Sequence, residues 1–386
     1  MERHREFDRA VQRPRSSSMS SSAPSSTLTS QNSGYRYDPF GDPPDYGDCL
    51  REIMPEQLTR AYELLRFDTV VCELLAADGC TRRSNIHRVI EFVPKLLTGE
   101  RDFYLDIFDE LVDESHGDRL EKLVHAVLHC APLCEGSLHD ERKGVKSMCR
   151  FIRNLKKTKY GNAVSKVLST HLDHVKNCYG FKKIITECLK TFTSRDNEPI
   201  FEKIVSDWKE ICVYREGSIF LQQNIIPRIS GHLRKLLLKD IAESTIFLAQ
   251  EPFGNYIVSR ILQLDNEEVN MIVYRNLQSR CTFLSTVRGS SNVIEGCMES
   301  SLMGLKLVVH EFLSAPLKTL IHIAKDDYGN FVLQKALRIC KNLGLEHLFD
   351  CFVKLLKPHE ADLIRNRSGR CVVTTFRELD PLKWGY

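Results

Sequence analysis

The segment Gly329–Gln334 reads GNFVLQ: a small residue, a polar residue, a variable residue, two apolar residues and a second polar residue. Four other segments share this pattern, and they are GSIFLQ (Gly217–Gln222), GNYIVS (Gly254–Ser259), SSNVIE (Ser290–Glu295) and GRCVVT (Gly369–Thr374). Their second residues stand at 218, 255, 291, 330 and 370, so the pattern recurs every 36 to 40 residues. A period of this length is typical of repeat proteins, in which each repeat is too short to bury its own core. The sequence therefore predicts a stack of repeats, a solenoid.

Weaker copies of the pattern extend toward the N-terminus. Steps of 36 residues lead to KKIIT (Lys182–Thr186) and KSMCR (Lys146–Arg150), whereas DRLEK (118–122) and SNIHR (84–88) fit less well. The segment YGNAVSK (160–166) resembles the pattern but breaks the spacing, and we interpret it as a connection. Apolar residues recur at helical spacing and β-type alternation is hard to find, so we expect an all-α chain. Eight repeats are predicted near residues 84, 118, 146, 182, 218, 255, 291 and 330, with a C-terminal cap near residue 370.

Composition separates residues 1–48 from residues 49–386. The first segment is rich in Ser, Pro, Gly and Asp and has few large apolar side chains, so we expect a disordered tail. The whole chain has 54 basic and 51 acidic residues, a balance that does not by itself indicate a nucleic-acid partner. We find no secretory signal and no apolar run long enough to cross a membrane. We therefore expect a cytoplasmic protein whose 14 cysteines are reduced, buried thiols.

The repeated polar positions have a chemistry that suits RNA bases. Residues four apart lie on one face of a helix, so we expect stacked repeats to form a solvent-facing row of polar pairs. The Gln334 amide, paired with Asn330, can accept from N3–H of uracil and donate to its O4. The Glu295 carboxylate, paired with Ser291, can accept from N1–H and N2–H of guanine together. A flat side chain such as Phe331, beside each pair, can stack on a base.

Two stretches carry a family resemblance. SSNVIEGCM (Ser290–Met298) and DDYGNFVLQKAL (Asp326–Leu337) resemble the seventh- and eighth-repeat helices of the Pumilio/FBF (PUF) family of sequence-specific mRNA-binding proteins. The resemblance covers about residues 56–386 and is strongest in the C-terminal half. It implies an all-α fold, a curved right-handed α-solenoid of about eight helical repeats plus caps. It also implies a monomer that binds single-stranded RNA in 3′ untranslated regions and represses the mRNA, with repressor or deadenylase-complex proteins as partners.

The resemblance also assigns bases to repeats, with the RNA antiparallel to the protein. Position by position, the RNA-binding residues that it implies are Ser218, Ile219, Gln222, Asn255, Tyr256, Ser259, Ser291, Asn292, Glu295, Asn330, Phe331 and Gln334. The last repeat would read U, and the preceding ones G, U and A, so the implied core is 5′-UGUA. Ser259 stands where the family's uracil-reading pair has Gln, which leaves the third base open. Ile219 replaces the usual flat or Arg residue, so stacking there should be weaker.

The N-terminal repeats have basic residues where the C-terminal repeats have base-reading pairs. Lys146, Arg150, Lys182 and Lys183 share one predicted face. We expect them to contact phosphates without sequence preference, and solvated surface charge is the alternative.

Three other interpretations of the chain stay open at this point. A protein-interaction scaffold of the HEAT or armadillo kind would have no reason to keep Asn/Gln and Ser/Glu pairs in register. A nucleolar Pumilio-like factor would bind structured RNA without base specificity, but long basic tracts are absent. A zinc site at residues 125–139, from His125 to His139, has no recognisable spacing. No catalytic motif is present, so we expect no enzyme activity, no metal and no cofactor.

Overall fold

The structure, a computed structural model, describes residues 55–97, 101–129 and 142–384. The tail predicted over residues 1–48 lies outside these ranges, and so does His139 of the metal-capable set. The chain divides into two units, residues 1–61 and residues 62–386. Of the first unit, only residues 55–61 are described, and they are helical.

Helices form the regular structure of the described residues, and no strand occurs among them, as the sequence predicted. The helices before residue 213 are α1 (Pro55–Ala76), α2 (Gly79–Asn85), α3 (Val93–Leu97), α4 (Asp102–Glu114), α5 (Asp118–Leu128), α6 (Arg142–Asn154), α7 (Gly161–Ser169), α8 (Tyr179–Thr191) and α9 (Glu198–Cys212). Two 3₁₀ segments, Ile86–Phe92 and Leu172–Lys176, lie between them.

The C-terminal half continues with shorter helices in regular alternation. They are α10 (Arg215–Phe220), α11 (Gly231–Glu243), α12 (Thr245–Gln250), α13 (Asn255–Leu262), α14 (Glu267–Leu277), α15 (Cys281–Ser285), α16 (Ser290–Ser300), α17 (Leu302–Ser314), α18 (Leu317–Lys325), α19 (Gly329–Asn342), α20 (Glu346–Leu356), α21 (Glu360–Arg365), α22 (Arg367–Leu379) and α23 (Pro381–Trp384). A π-helical segment, Leu221–Ile225, follows α10 directly.

Within residues 62–386 the helices stack in chain order. One row, called here the inner row, consists of α4, α6, α8, α10 with its π segment, α13, α16, α19 and α22; most neighbours in it pack directly on each other. Between α8 and α10 side-chain bonds make the link, from Lys182 to Glu216 and from Thr186 Oγ1 to Asn224 Oδ1 at 3.2 Å. A second row, called here the outer row, includes α7, α9, α11 and α14. Each of these helices packs against the next one along the chain. This arrangement is the predicted all-α solenoid.

The apolar pair of each sequence motif forms the core beneath the inner row. Ile257 and Val258 on α13, and Val332 and Leu333 on α19, are fully buried, as the pattern predicted. Burying such a side chain stabilises a fold by about 1.5–3 kcal/mol. Because each pair is covered by the adjacent repeats, an isolated repeat would expose it.

At the N-terminal end of the inner row, the helices do not lie at the repeat positions predicted near residues 84 and 118. Asp118 begins α5, but the helix that packs beside α6 is α4. The Arg150 guanidinium of α6 joins the two helices, since it bonds to Asp113 and, at 3.4 Å, to Asp109. Ser84 lies near the end of the short helix α2, away from any inner-row helix start. The repeat pattern was weakest in this region, and the tertiary packing places the row on different residues.

The segment 160–166, interpreted above as a connection, lies largely in a helix, α7 of the outer row. It packs against α9, and Ser165 Oγ donates to Asn197 Oδ1 at 3.2 Å just before that helix. The segment 160–166 therefore departs from the 36-residue spacing because it belongs to the outer row, not to the inner row.

Cysteines in the described residues are unpaired thiols, of which six are buried, Cys149 is half-buried and four are exposed. Cys188, Cys212, Cys281, Cys297 and Cys340 are among the buried ones. Burial raises the pKa of the Cys340 thiol to about 11, so it stays protonated at neutral pH. The prediction that the cysteines are buried is wrong for four of them, since Cys72, Cys80, Cys351 and Cys371 are exposed.

Among the described residues no single helix is long and apolar enough to cross a bilayer. Helices α17 and α18 reach that length and hydropathy only as a pair, bent by 115°.

Gly217 permits a close approach that the inner row depends on. A Cβ atom at this position would overlap the backbone carbonyl of Ile211 at the end of α9. We expect Gly217→Ala to lower the free energy of unfolding by about 1–3 kcal/mol, the usual cost of overpacking. Chemical denaturation followed by far-UV circular dichroism measures this.

Gly296 provides the matched control. It lies inside α16, where a Cβ atom would make only ordinary contacts, the nearest at 3.7 Å. Since Ala favours a helix over Gly by about 1 kcal/mol, Gly296→Ala should be neutral or stabilising. Equal destabilisation by both substitutions would contradict the close packing of α9 on α10.

Candidate nucleic-acid interface

The twelve residues implied by the family resemblance lie on four inner-row helices. Each motif opens near the N-terminus of its helix: Ser218 on α10, Asn255 on α13, Ser291 on α16 and Asn330 on α19. Because α13, α16 and α19 pack side by side, the structure brings the three C-terminal sets into one continuous row. The set of α10 joins it through the π segment, which packs on α13.

The first member of each pair is buried, which corrects the expectation of a solvent-facing row of pairs. Ser218, Asn255, Ser291 and Asn330 are between 1% and 5% exposed. The reason is their place at a helix start, where the preceding short helix and the neighbouring repeat cover them. Three of the second members, Gln222, Ser259 and Glu295, are half-buried, whereas Gln334 is 6% exposed.

The two asparagines use their amides in the same way. Asn255 Nδ2 donates to the carbonyls of Glu251 at 2.9 Å and Pro252 at 3.0 Å. Asn330 Nδ2 donates to the carbonyls of Asp326 at 2.7 Å and Asp327 at 3.0 Å. Both hydrogens of each amide are thus engaged with the turn that precedes the helix. Each asparagine therefore directs only its Oδ1, an acceptor, toward the rest of the motif.

The second members have different surroundings. Gln222 Nε2 donates to Ser218 Oγ at 3.0 Å, within its own helix. Ser259 Oγ donates to the carbonyl of Asn255 at 3.1 Å, so the shorter side chain bonds to its own backbone. Glu295 lies 3.6 Å from the Lys335 ammonium of the next repeat. These three side chains are half-buried and remain partly accessible.

The four residues predicted to stack on bases differ in exposure. Phe331 is 47% exposed, and Asn292 is also exposed. Tyr256 and Ile219 are half-buried. The Asn292 amide also donates to Asn255 Oδ1 at 3.3 Å, which links two successive motifs. Flat groups are therefore accessible beside the pairs of α16 and α19.

A π-helical segment begins at Leu221, immediately before Gln222, and the sequence pattern had not indicated it. Such segments interrupt α-helices frequently at functional sites. Arg228 donates to the carbonyls of Gln223 at 3.0 Å and Asn224 at 3.1 Å, so it satisfies groups near the π turn. Because the segment widens the helix at Gln222, the fourth motif has a backbone unlike that of the other three.

The four basic residues predicted to contact phosphates divide into two pairs. Lys146 and Lys183 are exposed. Arg150 and Lys182 instead form ion pairs, Arg150 with Asp113 and Lys182 with Glu216. The bond to Asp113 raises the pKa of Arg150, as expected for a matched pair. Lys146 and Lys183 are therefore the better candidates for contact with an external anion.

Tyr179, at the start of α8, was missed by the sequence reasoning. It is 63% exposed, and the Lys183 ammonium lies 4.8 Å from its ring centroid. The sequence contained a signal for it, because the dipeptide Tyr179-Gly180 matches the Tyr-Gly dipeptide that begins at Tyr328 in the last motif. An exposed aromatic ring beside an exposed lysine can stack a base and attract its phosphate.

Comparisons with known proteins place the fold. A scan against models of known protein families finds no match. The putative pumilio homolog 8, chloroplastic, of Arabidopsis thaliana is 29% identical over 224 residues, 58% of this chain and 42% of that protein. Pumilio homolog 12 of the same organism is 23% identical over 304 residues, 77% of this chain and 48% of that protein. The chain thus spans less than half the length of these relatives.

Two solved structures share the architecture. The Puf4 RNA binding domain bound to the HO endonuclease RNA 3′ UTR recognition sequence matches with a TM-score of 0.65 and 18% identity, over 76% of this chain and 89% of that one. The RNA-binding domain of yeast Puf5p bound to MFA2 RNA matches with a TM-score of 0.63 and 15% identity, over 86% and 96%. The structures support the solenoid fold, and the relatives confirm the resemblance to the Pumilio/FBF (PUF) family.

The buried amide of Asn255 generates a prediction about stability. In Asn255→Asp a carboxylate would replace a donor that faces two carbonyl oxygens. Leaving such groups unsatisfied costs about 1–3 kcal/mol, so we expect a corresponding loss of unfolding free energy. Repulsion raises the pKa of the new carboxyl in the folded state, so the loss should shrink as the pH falls toward about 4. Denaturation at two pH values measures both effects.

The same substitution at Asn162, an exposed residue on α7, changes the net charge equally. Asn162→Asp should leave stability nearly unchanged at both pH values. If the two variants behave alike, the amide of Asn255 does not hold the turn before α13.

Proposed function

We propose that this chain, a Pumilio-type repeat protein, binds single-stranded RNA in a sequence-specific manner. Its target would be a 5′-UGU(A)-containing element in mRNA 3′ untranslated regions. The observation that carries the proposal is the row of motifs on packed, consecutive inner-row helices. A repeat protein that reads one base per repeat with two or three side chains needs such a row.

The base assignments follow from the hydrogen-bonding groups of each motif. Glu295 offers two acceptor oxygens, which match the adjacent N1–H and N2–H donors of guanine. Gln334 has one Nε2 hydrogen left to donate to O4 of a uracil, which would stack on the exposed ring of Phe331. Gln222 with Ser218 would read the adenine.

The assignment of the third base depends on a motif with fewer groups that can reach a base. Asn255 directs an acceptor toward the motif, and Tyr256 is half-buried beside it. Ser259 bonds to its own helix, and it is too short to replace a Gln at the base edge. A bridging water could join Ser259 to the base with less selectivity. We therefore propose looser reading of this base than of its neighbours.

The relatives support the wider role. The similar solved structures are bound to RNA, which in the case of Puf4 is a 3′ UTR recognition sequence. We transfer this to the chain as part of the proposal, together with post-transcriptional repression in the cytoplasm. Protein partners of the repressor or deadenylase-complex kind belong to the same proposal.

The guanine assignment is tested by converting one motif into the other. Ser291→Asn with Glu295→Gln gives α16 the pair found on α19. We expect the preference at the second base to change from G to U, since a Gln amide offers uracil both a donor and an acceptor. Each good base contact is worth about 1–3 kcal/mol of discrimination, or about 5- to 150-fold in relative affinity. Competitive binding of UGUA and UUUA RNAs measures the preference.

Two further RNAs provide the control for that experiment. Preference at the first base, measured with UGUA and CGUA, should stay as in the unchanged protein. A double variant that still prefers UGUA over UUUA as strongly as before would show that Glu295 does not read that base. Absence of any sequence preference in the unchanged protein would refute the proposed function itself.

The exposed lysines generate a separate prediction. In the variant Lys146→Gln with Lys183→Gln, affinity should fall equally for all RNA sequences. Each lost contact to a single-strand phosphate should reduce the slope of log K against log salt by about 0.7, so by about 1.4 for both. Titrations at several salt concentrations measure the slope.

Lys235 and Lys306 supply a charge-matched control. Both are exposed, on α11 and α17, which are not inner-row helices. Replacing these two by Gln changes the net charge by the same amount but should leave the slope unchanged. Equal slopes for the two double variants would mean that Lys146 and Lys183 are only surface charge.

A further inference from the structure

A chain of hydrogen bonds runs through the last base-reading motif and into the C-terminal helix. Gln334 Nε2 donates to Asn330 Oδ1 at 2.9 Å. Gln334 Oε1 accepts from Thr375 Oγ1 at 3.1 Å and from an Arg338 Nη at 3.2 Å. Arg338 also donates to Thr375 Oγ1 at 3.3 Å, so the three side chains form a closed group.

The polarity of this chain is favoured from both ends, because Arg338 can only donate to Gln334 and Asn330 can only accept from it. Asn330 donates both amide hydrogens to backbone carbonyls, so it can present only Oδ1 to Gln334. An acceptor at that point requires Gln334 to turn its Nε2 toward Asn330. Its Oε1 then lies at the opposite end, where Thr375 and Arg338 donate to it. These two bonds engage the amide oxygen, so toward a base Gln334 presents only the second hydrogen of Nε2, and the predicted acceptance from uracil N3–H does not fit this geometry.

Because these side chains are buried, loss of one of their hydrogen bonds would be costly. Gln334 is 6% exposed and Thr375 is 3% exposed. A hydrogen bond between groups removed from water is costly to leave unmade, so an unpaired Oε1 would be unfavourable here. The half-buried amide of Gln222 bonds to Ser218 of its own helix. Gln334 bonds to Asn330 and Arg338 of its own helix as well, and packing of α22 on α19 adds Thr375 as a further partner.

We propose that Thr375 and Arg338 are positioning residues that fix the amide orientation of Gln334, so that α22 forms part of the site for the 5′ base. This inference rests on the proposed function. Thr375 lies on the C-terminal cap, outside the eight repeats of the predicted code. The identities of Asn330 and Gln334 alone would then not decide the selectivity for the 5′ base.

The chemistry of pyrimidines explains why orientation matters. Uracil presents N3–H as a donor and O4 as an acceptor, whereas cytosine presents N3 as an acceptor and its amino group as a donor. Held as observed, the Gln334 amide presents an N–H, which matches O4 of uracil and opposes the amino group of cytosine. Turned by 180°, it would present its oxygen, which matches that amino group, so uracil and cytosine would be distinguished less well.

The test compares two substitutions at Thr375. Thr375→Val keeps the shape of the side chain and removes the hydroxyl, whereas Thr375→Ser keeps the hydroxyl. The measurement is the ratio of affinities for UGUA and CGUA RNAs, which differ only in the first base. We expect Thr375→Val to reduce the preference for U by about fivefold, the worth of one net hydrogen bond, and Thr375→Ser to retain it. Arg338→Met should reduce it as well.

Selectivity elsewhere separates positioning from a merely structural role. The ratio for UGUA and UUUA RNAs, which reports the second base, should be unchanged in all three variants. A Thr375→Val protein that binds every RNA more weakly but keeps its preference for U would overturn the inference. If that variant does not fold, Arg338→Met carries the same test, because Arg338 is exposed and its loss leaves no cavity.

A readout without RNA keeps the inference distinct from the proposed function. The side-chain amide of Gln334 gives two proton resonances in ¹⁵N-correlated NMR spectra. We expect their shifts and their protection from solvent exchange to change in Thr375→Val and to be retained in Thr375→Ser. Unchanged resonances in Thr375→Val would refute the positioning role even if RNA binding is confirmed. Absence of RNA binding with the expected NMR change would instead refute only the proposed function.

Discussion

Burial of an apolar pair beneath each inner helix is the constraint on which the rest of the structure depends. A pair such as Val332 and Leu333 is covered only when the neighbouring repeats are in place. The helices must therefore pack closely, and at Gly217 a methyl group would already overlap the backbone of α9. Close packing in turn decides which polar side chains of the motif remain accessible to a ligand.

The same packing assigns different tasks to the members of each motif. The first residue is covered at the helix start, so its polar atoms must find partners within the protein. Asn255 and Asn330 solve this identically, with two bonds to the preceding turn. In these two motifs the first residue of the predicted base-reading pair thus also holds the turn that precedes its helix. Accessible surface remains at the second residue of three motifs and at the flat side chains Asn292 and Phe331, whereas Gln334 is buried.

Successive motifs are joined by their own polar side chains. Ser218 Oγ donates to the carbonyl of Phe253 at 2.8 Å, and the Asn292 amide donates to Asn255 Oδ1. Lys335 approaches Glu295, and Thr375 donates to Gln334. In every case the partner lies in the following repeat or cap. A reading site in this row is accordingly shared between two repeats, and a base substitution at one position acts on groups that the next helix holds.

The sequence by itself determined the all-α class, the repeat period, the buried apolar pairs and the C-terminal motifs, because these follow from local spacing along one chain. It did not indicate that Thr375 and Arg338 bond to Gln334. It also predicted an inner-row repeat at residue 118, whereas the helix that packs beside α6 in that row is α4. It also expected the first members of the pairs at the surface. These features depend on which helix lies beside which, and bonds between residues 34 to 41 positions apart decide them. Only the tertiary structure brings such partners together, since no local pattern records the orientation of a side chain on a neighbouring repeat.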